Sequence, residues 1–395
     1  MIVINNKEKC CGCEACVNIC PKQAISMVED DKGFLYPEIE NSQCIDCGLC
    51  NRTCPLQNEY IKKNSTYRVY AIINKNKDEL MASASGGAFS ALAHWVLDKK
   101  GIVIGCAWDE NMIPRHIKID SIENLRKIQG SKYVQSRIGK IYKEIRIYLN
   151  EGKLVLFSGT PCQCDGLRCY LQKDYSNLVC VELICHGVPS LSFFRDYLDV
   201  LEKKIKGKII DLRFRDKKRG WGALLHIIYV DKKGKKRHKY LSTEESYYYT
   251  YFWEGNLYRE SCYHCKYASL PRRSDLTIGD YWGVQKAHPG IDAKRGVSVL
   301  IASTVKGQAI VEKLNNYTDN INSCIESAIV ENGQLIKHSV EGDISEYIWK
   351  LYLSQGPEIV WKDYIKRNRM RILKGYIKRK TPLVIKEIMR GILIK

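Results

Sequence analysis

The sequence predicts a mixed α+β and α/β chain in three parts: a small cysteine-rich unit, a larger α/β body, and a helical, basic C-terminal region. Three observations predict it. Nine of the 18 cysteines fall before residue 55. From Tyr67 onward, short apolar runs alternate with amphipathic stretches, the pattern of an α/β core. Past Ala302 the chain turns helical and strongly basic. At 395 residues it suits several domains, expected at 1–60, 65–150, 151–310 and 311–395.

Hydrophobic content of 45% and charged content of 27% are those of an ordinary soluble protein. No apolar run approaches the ~20 residues needed to cross a bilayer. The N-terminal Met1 to Lys7 lacks a basic region followed by a long apolar stretch, so no secretory signal is expected and the expected compartment is the cytosol. That decides how the cysteines are read. In a short secreted chain they would be disulfides; here they point to metal or redox chemistry.

The N-terminal unit comes first. Cys10-x-x-Cys13-x-x-Cys16-x-x-x-Cys20-Pro21 is followed by a second copy of the same layout, Cys44-x-x-Cys47-x-x-Cys50-x-x-x-Cys54-Pro55. A cubane cluster needs four converging thiolates. The C-x2-C-x2-C loop wraps three corners, and the distant Cys before Pro completes the other cluster. Cys10, Cys13, Cys16 and Cys54 are therefore expected to hold one [4Fe–4S] cluster, and Cys44, Cys47, Cys50 and Cys20 the second. Paired zinc knuckles are the rival reading, but two quartets each ending in Cys-Pro fit clusters better. Cys11 fits no ligand slot and reads as a spectator. Ala24 to Val28 and Phe34 to Ile39 read as a strand pair joined at Asp30 to Gly33, the closure of a small ferredoxin domain. Gln57 to Thr66 reads as a linker.

In the body, strands are expected at Val69–Ile73, Ile102–Ala107, Leu154–Phe157, Leu178–Ile184 and Val297–Ala302. A helix is expected from Ser85-Gly86-Gly87 to Leu97 and another over Ser136–Asn150. Ser158 to Cys162 reads as a turn. Ala223–Val230 and Lys235–Leu241 read as a hairpin. The Ser85-Gly86-Gly87 helix start offers free N–H groups to a phosphate, although an N-cap with permissive glycines explains it as well. Gly130-Ser131-Lys132-Tyr133 reads as a dinucleotide contact or an ordinary loop. Cys162 and Cys185 each follow a strand, and Cys262-x-x-Cys265 adds a pair. Together they supply four thiolates, enough for a third cluster. Buried apolar roles suit Cys106, Cys169, Cys180 and Cys324; Cys164 reads either way.

These residues resemble a known family. Ser158-Gly159-Thr160-Pro161-Cys162-Gln163, Cys185-His186-Gly187-Val188-Pro189-Ser190, and Cys262-x-x-Cys265 followed by Arg273 to Gly283 are similar to the β subunit of coenzyme F420-dependent hydrogenases and dehydrogenases. Ser85-Gly86-Gly87, Gly130 to Ser136 and Gly296-Val297-Ser298 match as well. The resemblance spans roughly residues 65 to 310. It implies a flavoprotein body behind the ferredoxin domain. It further implies FAD at Ser85, Gly86, Gly87, Ser131, Lys132 and Tyr133, and a cluster on Cys162, Cys185, Cys262 and Cys265. The implied function is an iron–sulfur oxidoreductase. Single electrons pass from a ferredoxin-like donor through the clusters to FAD, then as hydride to a deazaflavin (F420) or another organic acceptor. The alternatives are a non-catalytic electron-transfer subunit of a larger oxidoreductase, or a reductase in surface-polysaccharide biosynthesis. His186, His264 and His288 are proton donors only by chemistry type.

The formal charge of +19 admits either a solvated Lys-rich exterior or attraction to anions, and cluster charge reduces it. The tail from Trp361 to Lys395 sets Lys366, Arg367, Arg369, Arg371, Lys374, Lys378, Arg379 and Lys380 around Ile365, Met370, Ile372, Leu373, Ile377 and Leu383. That is a basic amphipathic helix, expected to break at Pro382 and either to pack one face on the body or to lie on anionic lipid. The expected partners are a redox protein and a small organic acceptor, with peripheral membrane contact through the tail as a candidate. Nucleic acid is not expected, since no base-reading motif accompanies the charge.

Overall fold

The computed structural model describes residues 6–58 and 67–381. Most of the expected linker, and the break at Pro382, lie outside the described residues.

The N-terminal unit is a hairpin of β1 (Ile25–Glu29) and β2 (Leu35–Ile39), with Ile25 opposite Ile39. Asp30 shapes the turn by accepting from the Lys32 and Phe34 amides, and Gly33 takes the positive φ of 77° that the turn requires. A short helix follows each cysteine loop, Ala15–Ile19 and Leu49–Thr53.

The body is built on β3 (Arg68–Asn74), β4 (Ile102–Trp108), β5 (Pro114–Ile119), β6 (Val155–Gly159), β7 (Leu178–Leu183), β8 (Gly207–Arg213), β9 (Leu225–Asp231), β10 (Lys236–Leu241), β11 (Leu276–Asp280), β12 (Ser298–Ala302) and β13 (Thr318–Ser323). Eight of these form one sheet in the order β13-β3-β12-β11-β7-β6-β4-β5. The run β11-β7-β6-β4 is parallel, and antiparallel pairs flank it. Parallel strands need both faces covered. Val103, Leu156 and Val179 pack under the helix Ala88–Leu97. Ile102, Ile104, Val155 and Phe157, the alternate positions, pack under the helices Ile141–Asn150 and Pro161–Leu171.

Several expectations need correcting. The edge strand β5 and the third strand β8 of the hairpin sheet were not anticipated. β13 lies in the stretch expected to be wholly helical, and pairs with β3. The helix expected from Ser136 begins at Ile141. The expected turn at Ser158–Cys162 is the end of β6 and the start of a helix. Pro161 opens that helix, where a missing N–H costs nothing, and Thr160 and Gln163 form a reciprocal capping box. One sheet draws strands from both sides of residues 150 and 310, so those boundaries divide the sequence and not the body.

The helices Ser345–Gln355 and Pro357–Arg367 bury Trp349, Val360 and Tyr364 in an aromatic core with Phe193, Phe194 and Tyr247 to Phe252. The basic helix Arg369–Lys380 docks one face through Arg379–Glu245 at 2.6 Å and Arg371–Glu254 at 2.5 Å. Its other face leaves Met370, Leu373 and Ile377 exposed. Among the described residues, no helix is long and apolar enough to cross a membrane.

Candidate redox centres and cofactor cavity

The two N-terminal loops enclose two small cavities of about 20 Å³ each. Cys10, Cys13, Cys16 and Cys54 line one with Met27 and Pro37. Cys20, Cys44, Cys47 and Cys50 line the other with Ile25 and Ile39. Each cavity is thus lined by one of the crossed sets of sulfurs that the spacing predicts. Burial, with Cys10 and Cys54 alongside, pushes the Cys16 thiol strongly upward, and burial does the same to Cys54. Buried sulfurs such as these resist deprotonation unless a cation sits among them. That is the electrostatic condition an iron cluster relieves, so the donor set fits the group.

Cys162 opens the helix after β6, Cys185 follows β7, Cys262 ends the short turn Glu260–Cys262, and Cys265 comes three residues later. The fold brings the four together. Burial and the neighbouring Cys162 and Cys265 push Cys185 up to about 12. Cys262 is raised by burial and by Cys185, Cys265 and Cys162, and Cys265 by burial and Cys162. Behind them, Arg272 and Glu182 form a buried ion pair at 2.6 Å.

A cavity of about 240 Å³ opens beside this third quartet, with Cys162 and Cys185 in its wall. It lies beyond the carboxyl ends of β6, β7 and β11, where an α/β sheet places its ligands. Ser85, Gly87, Ser131, Lys132 and Tyr133 line it as well. Gly86 does not. A Cβ there would stand 2.1 Å from the Ile72 carbonyl oxygen, so this glycine lets the loop lie flat on β3. Burial lowers the Lys132 pKa, and its ammonium donates to the Gln129 carbonyl at 2.8 Å.

Opposite this wall, Arg215 donates to both Asp280 oxygens at 2.7 and 3.0 Å and to the Tyr133 hydroxyl at 3.1 Å. The Trp221 indole donates to Asp280 at 2.7 Å, and its ring stacks on Trp282 with centroids 4.6 Å apart. Burial drives Lys217 down to about 7; it donates to the Leu80 and Ser85 carbonyls. Arg215 and Lys217 escaped the sequence reading because Arg213 to Arg219 looks like a solvated charge run. Their only cue was the apolar Phe214 just before Arg215, which is buried.

Of the three histidines considered, His186 lines the cavity, edge-on to Trp253 at 5.4 Å. His264 is exposed beside Glu8, and His288 bonds the Ser323 hydroxyl at 2.9 Å outside the cavity. His116 also lines the wall, with both ring nitrogens engaged by Ser158 and Ser136, and burial lowers it to about 4.

The seam between unit and body is densely bonded. Glu14 accepts from the Ile138 and Gly139 amides at 3.0 and 2.9 Å. Arg259 is fully buried. It donates to the Cys10 carbonyl at 2.6 Å, the Leu35 carbonyl at 2.8 Å, Gln135 at 3.2 Å and the Cys10 sulfur at 3.5 Å. The Cys11 thiol lies between Cys13 of the inner quartet and Cys162 of the third, close to both.

Residues 152–321 match the family model for the C-terminal part of the coenzyme F420 hydrogenase/dehydrogenase beta chain, and residues 9–58 match a 4Fe-4S dicluster domain. Ketoisovalerate oxidoreductase subunit VorC of Methanothermobacter marburgensis is 35% identical over 52 residues, covering 13% of this chain and 66% of that protein, just under two thirds. An uncharacterized ferredoxin of Methanocaldococcus jannaschii is 33% identical over 60 residues, covering 15% of this chain and 77% of that one. The 7Fe ferredoxin of Hydrogenibacillus schlegelii is 33% identical over 73 residues, covering 18% and 87%. A chain of the F420-reducing [NiFe] hydrogenase complex from Methanosarcina barkeri superposes with a TM-score of 0.42 at 15% identity, covering 80% of this chain and 94% of that one. That likeness is too weak to build on.

Proposed function

We propose that this chain, which matches the C-terminal domain of the coenzyme F420 hydrogenase/dehydrogenase β subunit behind a 4Fe–4S dicluster domain, forms a complete electron relay. A ferredoxin-like donor delivers single electrons at the quartet Cys20, Cys44, Cys47 and Cys50. They pass through the quartet Cys10, Cys13, Cys16 and Cys54, then a third cluster on Cys162, Cys185, Cys262 and Cys265. The adjoining cavity would hold FAD, from which a deazaflavin (F420) or another organic acceptor would take the electrons as hydride. A flavin holds one or two electrons, so it supplies the junction between cluster and hydride chemistry.

The observation that carries this reading is the shared wall: Cys162 and Cys185 line the same cavity as Ser85, Gly87, Ser131, Lys132 and Tyr133. The residues have plain tasks. Ser131 and Tyr133 offer hydrogen bonds, while Gly87, at the start of the helix Ala88–Leu97, lets the backbone approach a ligand. Lys132 supplies a buried donor toward developing negative charge. His186 faces the cavity as its proton-bearing side chain for the acceptor. The exposed apolar and basic face of Arg369–Lys380 is proposed as a contact with anionic lipid, checked by pelleting with anionic against neutral vesicles.

Anaerobic purification with iron, sulfide and flavin analysis tests the relay. Three clusters predict about twelve irons, and Cys262→Ser removes about four while the N-terminal pair keeps its spectra. Unchanged iron in Cys262→Ser, or a protein that binds no flavin, overturns it.

A further inference from the structure

The two N-terminal quartets share a motif but occupy different electrostatic surroundings, and burial alone would set them in the wrong order. Reducing a [4Fe–4S] cluster adds a negative charge. That charge costs more in a buried site than in an exposed one, which lowers the potential of the buried cluster. Cys10, Cys13, Cys16 and Cys54 are each 8–9% exposed, whereas Cys47 stands in solvent. Left to burial, the inner cluster would be harder to reduce than the outer one, and electrons would stall at the protein's edge.

Two cations oppose this: Lys266, half-buried beside Cys54, and the fully buried Arg259. Arg259 has no exposed surface, and its guanidinium reaches the Cys10 sulfur at 3.5 Å and the Cys10 carbonyl at 2.6 Å. It lies flat on Tyr36 with the ring centroid 4.2 Å away, and interacts with the charges of Cys11 and Cys262. Among the described residues, no carboxylate is bonded to it. Its partners are neutral carbonyls and the Gln135 amide, so its charge is unspent except against the sulfurs. Gly12, at φ 64°, lets the loop come this close, since a Cβ there would lie 3.0 Å from the guanidinium. The outer quartet has Arg52 on the Cys47 carbonyl at 3.2 Å, but that side chain is exposed and its charge is screened by water and salt.

We propose that Arg259 is the positioning residue that raises the potential of the inner cluster to meet or exceed that of the outer one, and so gives the relay its inward direction. It does this with a fixed positive charge in a dry seam, delivered by the same loop that carries Cys262. Cys11, close to Cys13 on one side and Cys162 on the other, fills the space between the inner quartet and the third. The inference rests on the proposed relay for the direction of flow, but not for the effect on the inner cluster.

The test is an EPR-monitored redox titration of the full-length anaerobic protein, with Cys47→Ser used to assign the outer signal. In Arg259→Met the inner midpoint falls below the outer one while the outer midpoint stays fixed; Arg259→Lys retains most of the wild-type value. Gln135→Glu, which sets a carboxylate against the guanidinium without removing it, also lowers only the inner midpoint. An inner midpoint unmoved in Arg259→Met, or equally shifted in Lys and Met, overturns the proposal. Should Arg259→Met lose the inner cluster, Gln135→Glu decides, and an unchanged midpoint there overturns it. A wild-type chain without a third cluster or flavin would refute the relay while leaving the Arg259 shift intact.

Discussion

The inner and outer quartets are a matched pair at the level of spacing and opposites at the level of surroundings. Both run C-x2-C-x2-C-x3-C-P. The inner one is buried against the body, bonded through Arg259, Glu14 and Gln135, and the outer one faces solvent with Cys47 exposed. In the proposed relay the same local chemistry yields an entry port and an internal relay. What separates them is the tertiary contact each loop makes.

The largest expected effect breaks that comparison outright. Cys16→Ser removes the inner cluster and leaves buried polar groups without their metal, so iron falls by about four and thermal stability falls with it. Cys47→Ser costs the same iron with little change in melting temperature, and only electron entry from a protein donor suffers. Equal melting temperatures in the two variants would mean that the seam does not depend on the inner cluster. Next in size is Glu14→Gln. The carboxylate accepts two amide protons, whereas the carboxamide sets an N–H against one of them, at a cost of about 1–3 kcal/mol. Chemical denaturation reads that loss, and limited proteolysis should show earlier release of the N-terminal unit.

The smallest effect comes from neither quartet. Lys217 is held near 7 against 10.5 in the unfolded chain. Between those values the unfolded chain binds a proton that the folded chain has shed, so stability rises with pH through this window. Lys217→Met removes that slope whatever it does to absolute stability. Melting curves between pH 7 and 10 check it, and a slope that survives the substitution assigns the pH response elsewhere.

What the sequence disclosed follows from how local each contact is. The crossed N-terminal quartets were legible because the spacing itself dictates which sulfurs meet. The parallel core was legible in part because strands buried on both faces, such as Val155 to Phe157 and Leu178 to Val181, read as unbroken apolar runs, whereas Leu276–Asp280, interrupted by Thr277 and Gly279, was not read as a strand. The edge strand Pro114–Ile119 alternates, starts at Pro and pairs with β4 alone among the strands, so its signal is weak. The third quartet is spread over three loops, so the sequence offered it only as four thiolates at strand ends and a Cys-x-x-Cys pair, and the resemblance made it a ligand set. Arg259 was invisible: its partner Cys10 lies 249 positions away, and nothing near it in sequence marks a charge destined for the interior. The nearness of Cys11 to Cys162 was invisible for the same reason, since the two are far apart in sequence.

The exposure of Cys47 also orders how this molecule ages. Dioxygen and peroxide reach the outer cage before the inner one, which the body shields on its buried side. If the proposed relay holds, air blinds the protein to its donor first, while the sheltered centres keep their colour, and damaged preparations stay brown after they have stopped accepting reducing equivalents from another protein.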